Sequence, residues 1–181
     1  MVNPLSRILH DVGLAAWFGG TLGNAVALNA AVSETTSSAD SGAVVNSGWD
    51  RWTPVNAAAI GAHLIGSVGQ LVGNSGRIGS QKGVGSMVIV KTATTVAALG
   101  ATAYARVLGS RIDTYGAVPV TDATTPSADT PAEVAAAQSQ LAVLQWAIPA
   151  LTGALVVISA IAGEQQRPTA VLSGLVKRVS G

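Results

Sequence analysis

Four stretches of this chain, each about twenty residues long, carry almost no charge, and that pattern decides its solvent first. They run from about Val12 to Val32, Thr53 to Asn74, Met87 to Leu108 and Leu141 to Gly163. A helix of about twenty apolar residues crosses a hydrocarbon core of about 30 Å. Charged residues make up only 10% of the chain, against about 25% in a soluble domain, so water cannot be the solvent of its whole surface. The sequence therefore predicts an all-α, integral membrane four-helix bundle. A secretory signal is the competing reading of the first stretch, which ends near Ala30-Ala31-Val32-Ser33. At about twenty residues it exceeds the roughly 7–15 of a signal core, so it reads as an uncleaved span.

Start signals sharpen two of the helices. Pro54 falls in the first turn of the second span, where a missing N–H costs nothing. Thr130-Pro131-Ala132-Glu133 has the spacing of a capping box and predicts a helix from Pro131 to about Gly163. That helix exceeds the membrane core, so its first turns should project outside, and Pro149 should kink it near Gln145–Trp146. Charge sets the orientation. Arg7, the 75–86 connection with Arg77 and Lys82, and the tail with Arg167, Lys177 and Arg178 are basic. The 33–52 connection holds Glu34, Asp40 and Asp50, and the 109–140 connection holds Asp113, Asp122, Asp129 and Glu133. The positive-inside rule then places both termini in the cytoplasm of a bacterial plasma membrane. Trp49 and Trp52 fall where an interfacial aromatic belt belongs. Beyond Pro168, residues 169–181 place Val171, Leu172, Leu175, Val176 and Val179 on one face, giving a short amphipathic segment for the inner surface or a partner.

Chemistry-bearing residues are few. A net charge of +1 gives no footprint for nucleic acid, and the absence of cysteine excludes disulfides and thiolate metal sites. His63 falls near the middle of the second span and His10 just before the first. On that placement their depths differ by roughly 15 Å, too far apart to share one haem. The plainer role for His63 is a hydrogen bond across a helix interface, to Gln70, Asn56 or a partner chain. Lys91 and Arg106 stand near opposite ends of the third span and can each reach an interface. No acid falls in the middle of a span, which argues against proton-pump and cation-transport readings. Asn24, Asn29 and Gln145 are candidates for uncharged polar contacts between helices. Gly19-xxx-Gly23, Ala57-xxx-Gly61 and Gly69-xxx-Gly73 predict close helix packing, within the bundle or against a neighbour. No catalytic set or cofactor motif can be assembled from these residues.

His10-Asp11-Val12-Gly13-Leu14-Ala15-Ala16-Trp17-Phe18-Gly19-Gly20 resembles the first span of several bacterial four-helix membrane families, including copper-resistance-type modules. Two His and two Met are a poor supply for a copper carrier, however. In its whole texture the chain is Ala/Gly/Val/Thr-rich, with four short spans and Asp/Thr-rich outer loops. In this it resembles small actinobacterial membrane proteins, most of all accessory subunits of the bc1–aa3 respiratory supercomplex, the supercomplex association factors. That resemblance implies a non-catalytic subunit without a cofactor of its own, packed against respiratory subunits and lipid. A small transporter or metal-handling protein using His63 is the alternative.

Overall fold

The computed structural model describes residues 3–34, 37–76, 81, 83–116 and 118–164; the predicted amphipathic segment at 169–181 lies outside them. Apart from an isolated bridge between Val120 and Pro126, regular structure among the described residues is helical. Helix α1 (Pro4–Gly23) starts at Asn3, whose side chain accepts from the Leu5 N–H at 3.0 Å, with Pro4 supplying the preset first turn. It continues through a π-helical turn (Asn24–Leu28), a short α-helical turn (Asn29–Ala31) and a 3-10 turn (Val32–Glu34).

Helix α2 spans Ser38–Gly73, so the connection expected at 33–52 is helical over most of its length. Its start signal is local: the Ser37 hydroxyl accepts from the Asp40 N–H at 3.1 Å, and Asp40 places negative charge in the first turn. Pro54 thus lies deep inside α2 instead of in a first turn. The helix tolerates the missing donor, and Thr53 bonds the Trp49 carbonyl at 2.8 Å beside it. Helix α3 spans Val84–Asp113, and Gly83 enters it at a φ of 87°, a conformation suited to glycine. Helix α4 spans Ala132–Glu164 and passes through Pro149 without a break. The capping box expected at Thr130 does not form. The Thr130 hydroxyl turns back to the Pro119 carbonyl at 2.5 Å, and Glu133 accepts from the Tyr115 hydroxyl.

Three of these helices, α2 from Asp40 onward, α3 and α4, are long and apolar enough to cross a membrane. Helix α1 does not reach that composition, because Arg7, His10 and Asp11 occupy its first half.

Close contacts order the bundle. Helix α1 packs along α2 as an antiparallel hairpin: a Cβ on Gly13 would lie 2.5 Å from the Ala59 oxygen and the His63 nitrogen. A Cβ on Gly66 would lie 2.3 Å from the His10 nitrogen. Farther along the hairpin, Trp52 covers Gly20 and Leu28 covers Gly48. Helix α1 also lies against α4, through Phe18 on Gly153 and Arg7 beside Gly163, and α3 pairs with α4. Leu14, Trp17, Ala59, Ala98 and Leu155, one or two from each helix, form the apolar core. Helices α2 and α3 make little direct contact, which leaves a gap between them.

Candidate functional site

Two places in this bundle collect polar groups in apolar surroundings. The first lies where α1 and α2 approach most closely. Because Gly13, Gly66 and Gly69 carry no side chains, the two backbones come together and press His10 against His63. The ring centroids stand 4.5 Å apart, and Trp17 lies 6.1 Å from His63. This corrects the depths inferred from sequence, which separated the pair by roughly 15 Å. That reading measured depth from the ends of the apolar runs. In the hairpin, depth is counted from the turn, and α2 begins at Ser38, so the two residues fall level. Rings in direct contact leave no room for a macrocycle between them, so the arrangement is no bis-histidine haem site.

His10 and His63 are both almost wholly buried. His10 Nδ1 is 2.6 Å from the Asp11 carboxylate, and His63 Nδ1 is 3.3 Å from the His10 carbonyl oxygen. Neither Nε2 atom nor the Trp17 indole nitrogen has a hydrogen-bond partner in the protein. Arg7 lies 3.9 Å from Asp11. The partners expected for His63, Gln70 and Asn56, are replaced by a backbone carbonyl of α1. No group of three or more His, Cys, Asp or Glu residues suited to a metal ion occurs among the described residues.

The second place is a cavity of about 320 Å³ between the two helical pairs, roofed by the loop after α3. Its walls are largely aliphatic, with Ile60, Leu99 and Ile148 among them, and Val118, Val120 and Ala123 form the roof. Asn29, in the turn that continues α1, donates to the Gln145 side-chain oxygen of α4 at 2.9 Å. Gln145 reaches on to Thr124 of the loop at 3.3 Å. Gln138 donates to the Asp122 backbone carbonyl at 3.1 Å and so ties the roof to α4. At one end of the cavity Arg106 lies 3.8 Å from both Asp50 and Asp113.

The small-residue motifs divide between these surroundings and the outside. Gly69 meets Ser6 of α1, whereas Gly73 ends α2 at an exposed position. Ala57 borders the cavity, and Gly61 has open space where a side chain would begin. Gly19 and Gly23 are exposed, with nothing within 4 Å of either missing Cβ. Asn24 lies in the π turn, its amide nitrogen buried without a partner. Sequence reasoning passed over Gly13 and Gly66, which carry the closest approach. A small pair at helical spacing, Ala62-xxx-Gly66, was the available signal. No family model, curated protein or solved structure matches the chain.

Proposed function

We propose that this protein is a non-catalytic subunit of a larger membrane complex. In this reading the Pro4–Glu34 run crosses the bilayer with α2, α3 and α4, and both chain ends face the cytoplasm. The resemblance of the whole chain points to a respiratory complex of a bacterial plasma membrane as the setting. One observation carries the proposal. Ala15, Gly19, Gly23 and Ala27 recur every four residues along the Pro4–Glu34 run and are all exposed, and nothing lies within 4 Å of where a side chain would begin at Gly19 or Gly23. Small side chains give lipid little to pack against, but they let a second helix backbone approach closely. Val12 and Val26 flank the stripe and extend the surface that a partner would cover.

Purification in mild detergent followed by mass spectrometry tests the reading. The chain should leave the membrane with other integral subunits, and paired Gly19→Leu and Gly23→Leu changes should release them while the purified chain stays helical. A monodisperse, partnerless wild-type protein overturns the proposal.

The unpartnered Nε2 atoms of His10 and His63 favour a second reading, a small metal-handling or transport protein. His63→Ala separates the two. The subunit reading expects unchanged metal content and unchanged complex recovery, and the metal-handling reading expects loss of bound metal.

A further inference from the structure

The cavity between the helical pairs is apolar in its depth and charged at one end. Its deep polar atoms, Asn29 Oδ1, Gln138 Oε1 and the Thr102 hydroxyl, are closed even to water. An occupant there meets apolar surface, and the charge within its reach stands at the mouth. Asp50 of α2 meets Arg106 and Asp113 of α3 at that end. The three side chains are 63%, 45% and 34% exposed, so a ligand can reach each of them.

Charge at the mouth does not balance. One guanidinium faces two carboxylates, each 3.8 Å away. That separation exceeds hydrogen-bonding length, so both carboxylates keep lone pairs for a second cation. The neighbouring cations along the chain do not correct the imbalance. Arg51 and Arg111 do not border the cavity, and Arg111 lies in a separate groove with Glu133. Trp49 and Trp52 do line it, and an indole attracts positive charge at its π face. A metal ion suits this mouth poorly, because no group of three or more His, Cys, Asp or Glu gathers among the described residues. A strongly hydrated ion also gains nothing from apolar walls. A cation whose charge is covered by hydrocarbon matches both parts of the site. The volume of about 320 Å³ is that of a small-molecule pocket. Ala57 and Ala103, both exposed, border the gap between α2 and α3, which opens a way in from the side of the bundle.

We infer that this cavity binds a lipophilic organic monocation, a quaternary ammonium or phosphonium. Its charge lies toward Asp50 and Asp113, and its apolar body lies against Trp49 and Trp52. The site is independent of the subunit reading, since it lies inside the chain and the small-residue stripe lies outside.

The test is equilibrium dialysis of the full chain in maltoside micelles at neutral pH, with radiolabelled tetraphenylphosphonium as probe. Empty micelles give the background. The comparison is triphenylphosphine oxide, a neutral molecule with the same phenyl rings on phosphorus. The inference expects saturable binding of the phosphonium and about tenfold weaker binding of the oxide. Asp50→Asn and Asp113→Asn should each weaken phosphonium binding about two- to fivefold. Arg106→Gln leaves the two carboxylates unopposed and should strengthen it by about the same factor. The opposite signs matter, because a loss of structure would weaken binding in all three variants. Added salt should weaken binding to the wild-type chain. Absence of saturable binding, or equal affinity for the oxide, overturns the inference. So does unchanged affinity in both aspartate variants, or an Arg106→Gln variant that binds no more tightly than the wild type.

Discussion

At Gly66 the α1 backbone is so near that one methyl group decides whether the hairpin closes. A Cβ there would lie 2.3 Å from the His10 nitrogen and 2.5 Å from the Ser6 oxygen, both backbone atoms that cannot swing aside. Gly66→Ala should therefore destabilise the folded chain by about 1–3 kcal/mol, the usual range for overpacking. Gly19→Ala meets nothing and should change stability by less than about 0.5 kcal/mol. Denaturation in mixed detergent micelles, followed by circular dichroism, checks the pair; equal effects would mean that the α1–α2 crossing is misplaced. The glycine motifs were legible in the sequence as small residues at helical spacing. Which of them faced a neighbouring helix was not, because Gly19 and Gly69 look alike until a second backbone is set beside one of them. The histidines show the same limit. The burial of His63 could be anticipated from the run around it, but the burial of His10, placed just before the first span, and the contact of the two rings depend on where the hairpin turns.

For the elements, the instructive case is α2, which starts about fifteen residues before the apolar run begins. Hydropathy marks where a helix enters lipid and is silent about where the helix starts. The start is written in Ser37 and Asp40, a short polar signal inside a segment that composition alone assigns to a loop. Ser37→Ala should lower stability by about 1 kcal/mol in the same denaturation assay, and Ser37→Asp should preserve it. An alanine variant with unchanged stability would show that packing of Gly42 and Gly48 holds this end without the cap. Thr130 teaches the converse. Its spacing to Glu133 matches a capping box, yet both side chains serve the roof loop, where the Pro119 carbonyl and the Tyr115 hydroxyl compete for them. Thr130→Ala should loosen that loop and raise its amide hydrogen exchange, while the helicity of α4 stays the same.

On the scale of the whole molecule, the hairpin α1–α2 packs against the pair α3–α4, with Arg7 of α1 beside Gly163 of α4. A chain without cysteine allows the proposed four crossings to be tested by placing one thiol at a time. Ser127→Cys should react with a membrane-impermeant maleimide in intact cells, and Asn3→Cys and Ser75→Cys should react only after permeabilisation. Labelling of Asn3→Cys from outside would show that α1 does not cross. Much of this architecture follows from local chemistry that a sequence contains. The low charge and long apolar runs demanded helices in lipid, because apolar surface must be covered and a helix satisfies its own backbone. The distribution of Asp, Lys and Arg suggested which connections share a side. Tertiary structure alone decided the rest: that His10 meets His63, that Gly66 and not Gly19 lies against a neighbour, and that α2 and α3 leave a cavity between them. Those outcomes depend on helix register and on which faces meet, and register is settled by contacts between residues far apart in the chain.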